Sequence, residues 1–207
     1  MDAGHRPGKL IATPVDELAM LAPRRKTSAQ AADQPLPGEL EGLLTLIKQH
    51  DIAGYQQAIQ QRLARQGLQG FVQDTVAPLT RQIGEAWEDG SIEVFEEHLF
   101  TELTKRLLRQ AVAALPSGPR EPRVLLTSVP DEQHVLGLLM VEALLCPEGV
   151  QCISLGPQTP IEDVRRAAIA HKVHILALSF SGAFPLRLAL EGLASLRQQL
   201  PPQVTIW

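Results

Sequence analysis

Val124-Leu125-Leu126-Thr127-Ser128-Val129 runs directly into Pro130-Asp131-Glu132-Gln133-His134-Val135-Leu136-Gly137, and the reading of this stretch decides the fold. The first half is a short apolar run of strand type. The second half is a polar turn leading into a helix expected over His134 to Leu145. Three more strand-type runs follow, at Val150 to Leu155, Ile175 to Ser181 and Val204 to Trp207. Helical periodicity separates them. Pro160 to His171 carries Ile161, Val164, Ala168 and Ile169 on its inner stripe, and Leu186 to Leu200 makes another helix. Strands alternating with helices predict an α/β domain over 123–207, a parallel, doubly wound, Rossmann-like (flavodoxin-like) sheet. The chain stops inside the fourth strand, so the domain is expected to be truncated at its C-terminus and to lack its last β-α unit.

Working back from that strand, Pro116-Ser117-Gly118-Pro119-Arg120-Glu121-Pro122 reads as a linker. Before it, residues 39–115 are helical in pattern throughout. Leu40, Leu43, Leu44 and Ile47 repeat at three and four. Asp51 is placed to cap a second helix, with Ile52, Tyr55, Ile59 and Leu63 on its stripe and Gly67 at its C-terminus. Phe71, Val72, Val76, Leu79, Ile83 and Trp87 make a third stripe through Pro78, a kink position. A fourth helix is expected from about Ile92 to Leu115, with Phe95, Leu99, Leu103, Leu107 and Leu108 inside. Four amphipathic helices with short connections predict a four-helix bundle. Residues 1–38, with seven of their positions Gly or Pro up to Pro37 and a basic Arg24-Arg25-Lys26 cluster, read as a linker.

The chain has 207 residues, 44% hydrophobic, 20% charged and only 4% aromatic. That is enough for a buried core built from aliphatic side chains, and it argues against an aromatic-rich β-sandwich. The net charge of −4 excludes a large electrostatic footprint for nucleic acid on these residues. Two cysteines are too few for a disulfide framework or a thiolate zinc site. No apolar run reaches the roughly 18 residues of a membrane span, and Met1 to Pro14 lacks the apolar core of a secretory signal. A cytoplasmic protein with no membrane partner is expected.

Ligands of doubly wound sheets bind beyond the carboxyl ends of the strands, which is where Asp131 to Gly137 falls. The loop has a single glycine, so it is not a phosphate loop. It offers His134 with a carboxylate, Glu132, two residues earlier. A histidine with one ring nitrogen held by a carboxylate is a strong metal ligand. Gly137 removes a side chain one turn on. The plainer alternative is Asp131 as a helix N-cap beside a solvated His134. Trp87 taken alone reads as a core tryptophan, and Glu97-His98 alone as a solvated helix face. His50, His171 and His174 have no partner pattern. Ser154-Leu155-Gly156 ends another strand and is a weaker ligand candidate.

Glu132-x-His134-x-x-Gly137 resembles the D/E-x-H-x-x-G motif of cobalamin-binding Rossmann-like domains. Ser179, in Leu178-Ser179-Phe180-Ser181, falls where those domains carry a serine at the end of a later strand, and their Gly-Gly pair would come beyond Trp207. Trp87, nine intervening residues and Glu97-His98 are similar to the W-x9-E-H signature of the helical cap in MerR-type transcriptional regulators of the CarH/LitR kind. The two motifs together cover about Gly38 to Trp207. Ala3 to Leu10 and Asp16 to Leu18 resemble the end of a MerR-type winged-helix reader, so 1–38 would be a linker or the remnant of an upstream DNA-binding domain.

The resemblance implies a cofactor-sensing role with no catalytic residue. His134 would be the lower axial cobalt ligand, oriented by Glu132. Gly137 and Ser179 would make room for the cofactor's nucleotide tail. Trp87 would cover the upper face of the corrin, with Glu97 and His98 toward the upper axial group. The cofactor would be cobalamin, as adenosylcobalamin or else methylcobalamin. The partners would be a homo-oligomer and, through an upstream domain, promoter DNA. Light-sensing members assemble with adenosylcobalamin and come apart in light. Glu88 stands where some of them have a histidine that captures cobalt. The alternative function is a corrinoid methyl carrier of a methyltransferase system, which shares the cap and the histidine motif.

Overall fold

The computed structural model describes residues 38–116 and 121–207. The expectations placed on the N-terminal linker and its DNA-binding remnant lie outside the described residues.

Four helices come first: α1 Gly38–Lys48, α2 Ile52–Phe71, α3 Ala77–Glu88 and α4 Val94–Ala113. Their stripes meet in a core of Leu43, Ile47, Tyr55, Phe71, Leu79 and Phe100, each nearly inaccessible to solvent. The Asp51 carboxylate accepts from Gly54 N at 2.9 Å, the expected cap. Gly67 has φ 67° and ψ 171°, a backbone region that only glycine occupies readily. It breaks α2 at the residue where the sequence ends a helix. The third stripe continues through a π-turn, Val72–Val76, in which Ala77 N donates to Val72 O. Pro78 follows at once, and its missing N–H explains why the ladder changes register there. α4 starts at Val94 rather than Ile92, because the Glu96 carboxylate folds back onto Glu93 N at 2.7 Å and fixes the first turn.

Several residues assigned to the interior lie at the surface instead: Ile52, Phe95 and Ile169 are exposed, and Trp87, at the end of its stripe, is exposed as well. Phe100 takes the core place expected for Phe95, since five residues rotate a helix position well round its axis. His50, read as partnerless, bonds Glu96 Oε1 through Nε2 at 3.0 Å and packs on the Phe95 ring.

The second part is a parallel sheet of β1 Arg123–Thr127, β2 Gln151–Gly156, β3 Ile175–Leu178 and β4 Thr205–Ile206, in the order β2-β1-β3-β4. Three helices connect the strands: α5 Leu136–Leu145, α6 Ile161–Ala170 and α7 Leu186–Gln199. Val124 and Leu126 face a cluster with Leu138 and Ile175, on the α5 side. Leu125 faces Val164, Ala168, Leu176 and Leu196, on the α6 and α7 side. Central β1 is thus covered on both faces, which is why it reads as an unbroken apolar run. Each fully buried aliphatic side chain there contributes about 1.5–3 kcal/mol. α5 packs on β1 and β2 with one face, and on α2, the π-turn and α4 with another. It joins the helical part to the sheet.

Candidate functional site

In the order β2-β1-β3-β4 the chain leaves β1 toward β2 on one side and returns to β3 on the other. The carboxyl ends of β1 and β3 therefore flank a topological switch point, where loops diverge and leave a crevice. Both loops that carry sequence-predicted residues open there.

The strand expected to reach Val129 stops at Thr127, and the helix expected from His134 begins at Leu136. Between them the chain makes a tight turn, with Glu132 N donating to Val129 O at 3.2 Å. Pro130 sits at its first central position and Asp131 at its second, with φ 70°. Proline pre-sets the first angle, and aspartate tolerates the left-handed region better than most residues. Asp131 is therefore a turn residue and not a helix cap. The turn points the Glu132 carboxylate inward, where it is 1% exposed.

That carboxylate organises the loop. Oε1 accepts from His134 N at 2.9 Å and pairs with His134 Nδ1 at 2.7 Å. Oε2 accepts from Ser181 N at 2.6 Å, across the crevice on the β3 loop. Burial pushes the Glu132 carboxyl up, but the bonds from Ser181 and His134 outweigh it and hold the group below the usual carboxylate range. An ionised carboxylate only accepts, so Nδ1 carries the proton and the lone pair belongs to Nε2. The His134 side chain is 69% exposed. One nitrogen is thus anchored to a buried charge while the other faces outward.

Gly137 and Ser179 meet across the same crevice. A β-carbon on Gly137 would lie 2.9 Å from Ser179 Oγ, closer than real contacts allow. β3 ends at Leu178, so Ser179 and Ser181 lie in the following loop and not in the strand. Ser179 N donates to Thr127 O at 3.2 Å, which holds that loop beside β1.

Sequence reasoning missed a layer of hydroxyls beneath the loop. Ser128, fully buried, donates to Glu132 O at 2.6 Å and accepts from Gln158 N at 3.0 Å. Thr127 Oγ1 reaches Gly156 O and Thr159 Oγ1, both at 2.8 Å. The available signal was two adjacent hydroxyl residues closing an otherwise aliphatic strand. Ser181 was also missed, since its main-chain N–H carries no sequence signature.

A cleft of about 360 Å³ adjoins the loop, between Arg109 of α4, Val135, Leu139 and Glu142, and Leu155-Gly156 at the end of β2. Burial raises the Glu142 carboxyl against the pull of Arg109. Leu155 stands out at a bulge in the β1–β2 pairing, where Thr127 is opposite Gly156 with φ 79°.

On the helical part, Trp87 is 53% exposed at the last turn of α3. Glu97 and His98 share the first turns of α4, with His98 Nδ1 on Glu97 Oε2 at 2.5 Å and Thr101 Oγ1 donating to Glu97 Oε1 at 2.8 Å. Among the described residues, no hydrogen bond or ring contact ties Trp87, Glu97 or His98 to the His134 loop. The structure therefore brings together Glu132, His134, Gly137 and Ser179, and leaves Trp87 and His98 exposed and Glu97 half-buried without a hydrogen bond to that loop.

The family described as "B12 binding domain" matches residues 39–111. The HTH-type transcriptional repressor CarH of Myxococcus xanthus is 33% identical over 134 residues, 65% of this chain and 44% of the repressor. The repressor CarA of the same organism is 30% identical over 113 residues, 55% of this chain and 38% of CarA. The matches thus span less than half the length of these two relatives. The monomethylamine corrinoid protein of Methanosarcina barkeri has the same fold, with a TM-score of 0.64 at 18% identity, covering 82% of each chain. Residues 39–111 therefore match the B12 binding domain family, and with the parallel sheet that follows they form the helical and Rossmann-like architecture also seen in that corrinoid protein.

Proposed function

We propose that this chain is the sensing region of a MerR-type transcriptional regulator, holding adenosylcobalamin between the helical part and the sheet, with His134 as the lower axial ligand. The observation that carries the reading is the Glu132–His134 pair at the switch point. Two features fit a corrinoid there. His134 Nε2 offers a nitrogen donor, the kind of atom that would hold a corrinoid's cobalt. Gly137 leaves open, against Ser179, a space that any β-carbon would fill. When bound, the cofactor supplies a cobalt–carbon bond that ligands and light can act on.

The chain's own residues do the rest. Glu132 keeps the proton on Nδ1 and fixes the ring, so that Nε2 is presented without rotational cost. Ser128 and Ser181 hold the carboxylate and its backbone in place. Gly137 and Ser179 shape the slot for the nucleotide tail. Trp87, Glu97 and His98 make up the surface that closes over the upper face, and the similarity to two HTH-type transcriptional repressors supports a regulator. In this reading it acts as an oligomer, and on promoter DNA through an upstream domain.

The test is a dark titration with adenosylcobalamin followed by absorbance, before and after green light, for the wild type and His134→Ala. The expected result is a bound spectrum in the wild type and at least a tenfold weaker affinity in the variant. Wild-type affinity and spectrum in His134→Ala would remove His134 as ligand. Tighter binding of methylcobalamin than of adenosylcobalamin, with no response to light, would favour the methyl-carrier reading.

A further inference from the structure

The chain has two cysteines, Cys146 and Cys152. Both lie at the corner where α5 gives way to β2. Cys146 opens a 3-10 turn, Cys146–Glu148, and Gly149 follows with φ 85°. Two backbone bonds close the corner: Gly149 N to Cys146 O at 3.1 Å, and Val150 N to Leu145 O at 3.3 Å. β2 then sets out beside the end of the helix, with Cys152 opposite Val124. Cys152 and Leu145 pack against the same apolar cluster, and the neighbouring Cys146 thiol pushes the Cys152 thiol up. Both cysteines are half-buried, and β2 is an edge strand, so small solutes can reach the corner. Among the described residues no group of three or more His, Cys, Asp or Glu could hold a metal ion. Thiol redox chemistry is what this pair can do.

We propose that Cys146 and Cys152 are a redox-active pair, a dithiol that hydrogen peroxide converts to an intramolecular disulfide at the α5–β2 corner. The neighbouring Cys146 thiol and burial both hold the Cys152 proton on, as does the nearby Glu142. Cys152 lies in β2 against the apolar cluster, whereas Cys146 opens the turn, so Cys146 is the sulfur that attacks. Its thiolate displaces hydroxide from the peroxide, which leaves as water after taking a proton, and becomes a sulfenic acid. The Cys152 sulfur displaces that oxygen, which leaves as a second water. The two sulfurs together lose two electrons and the peroxide gains them. Glu142, one turn before Cys146, and Leu155, three residues after Cys152, both line the cleft beside the His134 loop. The disulfide would tie those two walls together behind it. The inference uses no cofactor and stands apart from the reading of His134.

The test is to expose the full chain to stoichiometric hydrogen peroxide, then titrate free thiols and measure the intact mass under non-reducing conditions. The expected result is joint loss of both thiols in a monomer, with a mass lower by two hydrogens, reversed by dithiothreitol. In Cys152→Ser the Cys146 sulfenic acid has no partner, so dimedone should label it. Thiols that stay titratable, oxygen additions on a single sulfur in the wild type, or disulfide-linked dimers would each overturn the proposal. Both cysteines are only half-buried and serine matches their size, so Cys146→Ser and Cys152→Ser are expected to keep the wild-type circular dichroism spectrum.

Discussion

Replacing Glu132 by glutamine keeps the shape of the side chain and removes its charge. The carboxylate accepts three bonds, from His134 N, His134 Nδ1 and Ser181 N, at 2.6–2.9 Å. An amide has one oxygen. If it faces His134, its NH2 group is driven against Ser181 N–H, donor to donor. If it faces Ser181, the NH2 meets the backbone N–H of His134. Either way one charge-assisted bond is lost, about 1.5–3 kcal/mol, and the others fall toward neutral strength. Because Glu132 is 1% exposed, water cannot replace what is lost. The expected cost is about 3 kcal/mol, or a fall in melting temperature of about 6–12 °C for a chain of this size.

The pH dependence gives a second readout. The folded Glu132 carboxyl lies below its ordinary 4.5. Its contribution is therefore fully present above that value and is lost as pH falls through the lower folded value. Thermal melts from pH 7 down to pH 3 should show a wild-type acid limb that is shallower in Glu132→Gln. Melting within a degree of wild type at pH 7, with an unchanged acid limb, would refute the argument that this carboxylate organises the loop.

Gly137→Ala places a methyl 2.9 Å from Ser179 Oγ. The serine can rotate away and alanine favours the helix by about 1 kcal/mol, so the ligand-free melting temperature should stay within a few degrees while cobalamin affinity, read by absorbance titration, falls at least about tenfold. Gly67→Ala should destabilise by about 1–3 kcal/mol in chemical denaturation, because its φ of 67° and ψ of 171° are strained for any residue with a β-carbon; a stabilised variant would mean that α2 runs unbroken. Trp87→Ala removes an exposed ring, so ligand-free stability should change by less than about 0.5 kcal/mol, and ligand-dependent assembly in size-exclusion chromatography should weaken more than the spectrum of the His134-bound cofactor; unchanged assembly would count against the upper-face role.

The architecture was legible in the sequence because it rests on periodicity, which is local. Val124 to Leu126 read as a strand from their short apolar run, and the strands and helices that alternate after it read as a parallel sheet. Gly67 and Asp51 marked helix ends through backbone and capping chemistry that needs no distant partner. The motif Glu132-x-His134-x-x-Gly137 was visible for the same reason, since its residues sit a few positions apart.

Tertiary structure decided everything that depends on partners far along the chain. His50 finds Glu96 across 46 residues, and Glu132 finds Ser181 across 49. Whether Phe95 or Phe100 enters the core depends on how α4 is rotated, and the fold-back of Glu96 onto Glu93 sets its first turn. Ser179 matters because the order β2-β1-β3 sets its loop beside Gly137. The two cysteines are a pair only because a turn folds β2 back beside the end of α5. A sequence records which side chains can accept, donate or pack. Which of them meet is settled by strand order and helix rotation, because those alone bring residues tens of positions apart within the few ångströms over which hydrogen bonds and thiol chemistry act.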